Sequence, residues 1–300
     1  MSSAASRTRL TARDLALTLA VVALWGFTFV PIRWALDEVP PFALAALRFV
    51  AAALPAVFFV RRPSMPWRDV VAYGLAIGFF QFGLLFLGMK MGMPAGLSSL
   101  VIQLQVFFTM GLAVAWSGER VSRVNIAGAA IAGAGVVVLA GYKLASGMTG
   151  TLTGFLLVVV AGFAWAVGNV IAKRSATAYR ADMFALVVWS SLVPPLPLAL
   201  VSYLFEGGPA VFAAIASASP TTWFAVLIMA WGATLFGFGT WNALLHRYPV
   251  GLISPFALLI PVSGLFCGWL FLGETLAPWQ AAGAVLVFAG LAANVLLARR

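Results

Sequence analysis

The sequence predicts an all-α membrane protein of ten transmembrane helices, built as two inverted five-helix repeats with both termini cytoplasmic. Three observations carry this expectation: a composition suited to lipid, an alternation of basic and non-basic loops, and an internal match at an offset of 155 residues.

Of 300 residues, 63% are hydrophobic and 9% are charged, against about a quarter charged in soluble domains. Such a chain in water would expose large apolar patches and aggregate. In a bilayer the lipid solvates the outer surface, so the composition fits. Ten helices of about 20 residues occupy about 200 positions. The remaining length is too short for a large soluble domain. Apolar runs fall at 15–36, 42–60, 70–88, 95–116, 124–141, 152–172, 183–205, 222–245, 251–272 and 278–297. The longest connection, 206–221, carries Gly207, Gly208, Pro209 and Pro220 and reads as an exposed loop. The first apolar run is too long for a signal-peptide core, so it reads as a retained helix after a tail at 1–14. The first repeat then covers 15–142 and the second covers 150–298.

Orientation follows from the basic residues. With the N-terminus inside, alternate loops place Arg7, Arg9, Arg13, Arg61, Arg62, Arg68, Arg120, Arg123, Lys173, Arg174, Arg180, Arg247, Arg299 and Arg300 in the cytoplasm. Arg33, Lys90 and Lys143 fall outside, and Arg48 lies within the second span. Cytoplasmic loops carry the excess of Lys and Arg. Adding or removing one helix would mix the two classes of loop. The net charge of +10 is therefore distributed as loop charge rather than as a nucleic-acid-binding face.

Residues 93–135 align without gaps to 248–290. Shared positions include Pro94/Pro249, Gly96/Gly251, Ser99/Ser254, Gly118/Gly273, Glu119/Glu274, Gly128/Gly283 and Gly135/Gly290. A second match sets Trp25 and Arg33 against Trp165 and Lys173. An odd number of helices per half turns the second half upside down, the arrangement that supports alternating access around a midplane site.

These features, with the Leu-Trp-Gly-Phe-Thr-Phe run at 24–29 and the two Gly-Glu turns, resemble the EamA-type family of the drug/metabolite transporter superfamily. The resemblance spans roughly residues 10–300 and is nearest to bacterial aromatic amino acid exporters. It implies substrate export, with the third, fourth, eighth and ninth helices lining a central path.

Polar side chains at membrane depth are costly unless they meet partners or water, so they mark candidate contacts. The candidates for substrate binding are Trp25, Thr28, Gln81, Ser99, Gln103, Trp165, Asn169, Thr234, Trp241 and Ser254. Two readings of Gln81 and Asn169 stay open, an interhelical clamp or a substrate contact. For Trp25 and Trp165 they are packing between halves or stacking on an apolar solute. Single Ser and Thr residues commonly bond their own helix. Arg48 sits about one and a half turns from a span end, where it snorkels to the interface or binds a substrate carboxylate. Glu119 and Glu274 are read as structural, capping the following helix or pairing with loop arginines.

All eight acidic residues map to span ends or loops. This disfavours a buried cation- or proton-binding carboxylate and favours a neutral or zwitterionic substrate moved downhill. One histidine, His246, and one cysteine, Cys267, form neither a zinc set, nor a nucleophile–base pair, nor a disulfide framework, so an enzyme, a metal and a cofactor are not expected. A proton-coupled exporter of other metabolites or drugs, and a passive channel, remain as alternatives. Five plus five helices can enclose a path in one chain, so the expected assembly is a monomer in the lipid bilayer.

Overall fold

The structure is a computed structural model and describes residues 10–117, 122–145, 149–248 and 250–297. The described residues are helical, with no strand among them. The principal helices are α1 (Ala12–Glu38), α2 (Pro41–Val57), α3 (Trp67–Lys90), α4 (Ala95–Trp116), α5 (Arg123–Gly141), α6 (Thr151–Tyr179), α7 (Met183–Phe205), α8 (Pro220–Arg247), α9 (Pro255–Leu272) and α10 (Pro278–Leu296). Among the described residues, all but α2 are long and apolar enough to cross a membrane. With 17 residues, α2 spans about 26 Å at 1.5 Å per residue. Large apolar side chains on the outside, Phe58, Leu196 and Phe205 among them, suit a lipid-facing surface.

Sequence punctuation sets the helix starts. Pro41, Pro220 and Pro278 occupy first-turn positions, where the missing N–H is no loss. The α9 helix ends at Gly273, whose φ of 64° is left-handed and suits glycine. Near Pro194 and Pro195 the helical run of α7 breaks between Ser190 and Pro195.

Departures from α geometry recur in the two halves. Wide π-type turns occupy Gly74–Gln81 in α3 and Ile228–Phe238 in α8. Tight 3₁₀ turns occupy Ile102–Leu104 in α4 and Ser254–Leu258 where α9 begins. An offset of 155 residues brings each first-half segment onto or across its second-half counterpart.

Glycines set the closest helix approaches. A Cβ on Gly128 would lie 2.8 Å from the Gly290 carbonyl oxygen, and one on Gly135 would lie 2.7 Å from that of Gly283. Since Gly283 and Gly290 are the repeat counterparts of Gly128 and Gly135, α5 and α10 meet reciprocally, as in a two-fold contact. The α1–α9 crossing is similarly tight, with the Gly26 Cβ position 2.6 Å from the Ile260 carbonyl oxygen.

The two ends of the bundle differ. At one end lie Arg61, Arg62, Arg68, Lys173, Arg174 and Arg247, hereafter the basic end. At the opposite end three carboxylates cap helix N-termini far away in sequence. Glu38 accepts from Ser219 N at 2.7 Å and Thr222 Oγ1 at 2.9 Å at the start of α8. Glu206 accepts from Phe42 N at 2.9 Å and Ala43 N at 3.2 Å in α2. Glu274 accepts from Ala95 N at 2.6 Å and Gly96 N at 2.8 Å in α4. Each satisfies free N–H groups at the positive end of a helix dipole. Glu274 thus caps α4 rather than the following helix, at whose N-terminus Gln280 accepts from Ala277 N. Glu119 lies outside the described residues.

Candidate functional site

A cavity of about 290 Å³ lies in the middle of the bundle. Its walls come from α1, α2, α3, α4, α6, α8 and α9, more helices than the resemblance implies. Trp25 and Thr28 enter from α1, where the Thr28 hydroxyl donates to the Trp25 carbonyl three residues earlier. Such back-bonding bends a helix, and Pro31 removes a further helix hydrogen bond. The Trp25 indole N–H donates to the Ala233 carbonyl, 2.9 Å away in the π segment of α8. Its ring packs against Phe238 and Trp241, with centroids at 5.2 and 5.3 Å. Trp165 supplies a second indole from α6.

Amides line the same space. Gln81 ends the π segment of α3, is 3% exposed, and its Oε1 has no hydrogen-bond partner. A π turn inserts one residue and re-phases the side chains that follow. Gln103 and Gln105 come from the 3₁₀ segment of α4 and the turn that succeeds it. The Asn169 Nδ2 donates to Gln105 Oε1 at 2.6 Å and Thr109 Oγ1 at 3.1 Å. Asn169 therefore both clamps α6 to α4 and borders the cavity.

Of the ten residues expected from sequence, Trp25, Thr28, Gln81, Gln103, Trp165, Asn169 and Trp241 line this cavity. Thr234 is buried beside it: its Oγ1 donates to the Met229 carbonyl at 2.9 Å and accepts from Arg48. Ser99 lies elsewhere, in the α4–α9 contact, where its hydroxyl donates to the Gly96 carbonyl at 2.6 Å. A Cβ on Gly264 would overlap it. The Ser254 side chain lies outside the described set.

For Arg48 the sequence leaves two readings open, snorkelling to the interface or binding a substrate carboxylate. It does not snorkel. It is 3% exposed, and its guanidinium carbon stands 3.6 Å from the Phe82 ring centroid and 5.1 Å from that of Phe49. Its Nη2 donates to Thr234 Oγ1 at 3.1 Å, and its buried Nε has no partner. Sequence distance from a span end concealed this. Its isolation among apolar residues was the available signal.

Toward the basic end a larger vestibule of about 930 Å³ opens between α4 and α6, bordered by Thr109, Trp116, Asn125, Lys173, Arg174 and Asn294. Asn169, Gln105 and Thr109 stand where vestibule and cavity adjoin. Also at the basic end, Asp14 accepts from the Tyr248 hydroxyl at 2.6 Å and Arg247 Nη1 at 3.1 Å, tying α1 to the end of α8. His246 lies exposed nearby. Among the described residues no group of three or more His, Cys, Asp or Glu could hold a metal.

The model of the EamA-like transporter family matches residues 14–141 and 152–296. The chain belongs to the EamA-like transporter family. This family member is 45% identical over 284 residues to a Salmonella typhimurium protein named "Probable amino-acid metabolite efflux pump", covering 94% of this chain and 95% of that protein. An Escherichia coli K12 protein of the same name is 41% identical over 284 residues, with the same coverage. A solved crystal structure, 25% identical, superposes with a TM-score of 0.64 over 96% of this chain and 99% of the other. This EamA-like chain is a multi-pass protein of the bacterial inner membrane, and a transporter rather than an enzyme.

Proposed function

We propose that this transporter exports small neutral or zwitterionic metabolites, amino acids including aromatic ones, by downhill alternating access. The carrying observation is the cavity: three indoles (Trp25, Trp165 and Trp241) for an apolar side chain, several amides for polar groups, and no Asp or Glu on its wall among the described residues. A volume of about 290 Å³ is at the small end for ligand pockets. That favours a metabolite over a bulky drug. The names of the two relatives, which refer to amino-acid metabolite efflux, agree with this choice.

The alternating-access reading treats the ten helices as two inverted five-helix halves within a monomer, with the basic end in the cytoplasm. It is supported by the reciprocal α5–α10 glycine contacts and by the paired π and 3₁₀ segments. Carboxylate caps at one end and a vestibule at the other then correspond to a state open to the cytoplasm, ready to load substrate for export.

The test is uptake of labelled neutral amino acids into proteoliposomes, with and without a proton gradient. Saturable uptake that ignores the gradient, and that is accelerated by unlabelled substrate on the far side, is the expected result. Loss of that counterflow acceleration would indicate a passive channel. Uptake only with a gradient would refute downhill transport.

A further inference from the structure

The geometry points to Arg48 as the anchor for a substrate carboxylate, with the ammonium group of an amino acid directed to the amide oxygens of the same cavity. This assignment rests on the proposed amino-acid reading and narrows it: substrates carry a free carboxylate, and their amides are poorly transported.

A buried guanidinium without a counter-charge is among the most costly groups a membrane protein can hold. The described acidic residues are all engaged elsewhere. Asp14 meets Arg247 and Tyr248, Asp37 meets Arg33, Asp69 meets Arg68, and Asp182 caps α7. Glu38, Glu206 and Glu274 cap α8, α2 and α4. What Arg48 does have is a positioning shell. Phe82 and Phe49 support the cation, and Thr234 holds one Nη2–H and thereby fixes the fork. The buried Nε–H is a donor with no partner in the protein. A guanidinium presents donors in a planar fork that matches a carboxylate, and charge-assisted pairs of this kind are strong and directional.

The complementary acceptor is present too. Gln81 Oε1 is buried without a partner on the wall that Arg48 also lines. The orphan donor belongs to a cation and the orphan oxygen to an amide, and both residues border one cavity, a pairing that matches the two charged ends of a zwitterion once the side chains turn toward it. Trp25 and Trp165 are left for its side chain. A purely structural clamp between Arg48 and Thr234 would explain one hydrogen bond, but neither orphan atom.

The test uses binding of labelled L-phenylalanine to the purified full-length protein in nanodiscs, with competition by L-phenylalaninamide, L-leucine and 3-phenylpropionate. For wild type, the acid should compete on the order of tenfold to a hundredfold better than the amide, the scale of one charge-assisted hydrogen-bonded contact. Arg48→Met should erase that ratio, and Arg48→Lys should restore part of it. Equal competition by acid and amide in wild type overturns the assignment while leaving amino-acid export standing. This arm needs no variant, so a misfolded Arg48→Met does not blunt it. An acid–amide ratio preserved in Arg48→Met, with all ligands weakened alike, also overturns it and makes Arg48 a structural clamp. Displacement among carboxylates with no preference for the amino group, measured with labelled 3-phenylpropionate and lost in Arg48→Met, would sink the amino-acid reading and keep the anchor. Binding of none of these probes overturns both.

Discussion

Closure of the capped end should be sensitive to Glu274. Its carboxylate spans α9 and α4 with two short hydrogen bonds, 2.6 Å to Ala95 N and 2.8 Å to Gly96 N. Glycine makes the contact possible. Oε2 lies 3.1 Å from the Cβ position of Gly96 and 2.6 Å from that of Gly268. In the open state water can satisfy the same N–H groups, so the latch is worth only the difference between the two environments. A hydrogen bond to a charged group contributes about 1.5–3 kcal/mol net, and a charge at a helix N-terminus about 0.3–1 kcal/mol. Glu274→Gln keeps the shape but loses the charge and one acceptor oxygen. We therefore expect closure to weaken by about 2 kcal/mol, which multiplies the open fraction roughly 30-fold. The assay is cysteine labelling by a membrane-impermeant maleimide from outside the cell. Cys267 is first replaced by Ala, and Met93→Cys, at a position 1% exposed beside the latch, provides the probe. Its labelling rate should rise by about that factor in Glu274→Gln. Ala113→Cys in the vestibule, labelled in inside-out vesicles, reports the other end. Unchanged labelling at Met93→Cys, with normal yield, would refute the latch. An equal rise at both probes would mean general loosening rather than a shift between states.

Two further expectations concern packing and substrate side chains. Gly290→Ala places a Cβ 2.4 Å from the Gly128 carbonyl oxygen and 2.7 Å from Ala132 N, backbone atoms that cannot yield. It should cost about 1–3 kcal/mol by overpacking and lower the thermal midpoint in detergent. Gly133→Ala, whose Cβ position has nothing within 4 Å, should be neutral or slightly stabilising. Equal midpoints for the two variants would refute the close α5–α10 contact. Trp165→Ala and Trp25→Ala should reduce transport at near-normal membrane yield. They should impair phenylalanine more than leucine by about 0.5–1.5 kcal/mol, the worth of an aromatic pair. Parallel loss of yield and of both activities would instead assign the indoles to packing.

Helices and membrane depth were legible because they depend on bulk properties of each segment. Hydropathy, proline at first turns and glycine at one helix end are local signals, and the helices begin close to where those signals fall. The π segments were not legible. Gly74–Gln81 and Ile228–Phe238 are almost wholly apolar, so no polar stripe reveals the phase of the helix. Proline gives no hint either, since neither segment contains one. The serines divide on the same ground. Ser99 is a polar residue at depth, but its hydroxyl is satisfied three residues back in its own helix, so depth alone did not require a cavity.

Carboxylates and Arg48 depend on partners that are distant in sequence. Glu274 and Ala95 are separated by 179 residues, and Arg48 and Thr234 by 186. Glu274 could be read locally as a cap for the next helix or a partner of loop arginines, because nothing near it in the chain identifies α4. For Arg48, distance from the end of α2 gives depth along the axis but not which face of the helix carries the residue. A position near a span end permits snorkelling only on a lipid-facing side. The α2 helix packs against α3, α7 and α8, and Arg48 points into that contact rather than toward lipid. The missing quantity was thus lateral position in the bundle, which one sequence without resolved helix phases does not encode locally. The same missing phase explains why the amides and indoles could be nominated by type while the cation among them stayed divided between the membrane interface and a substrate carboxylate.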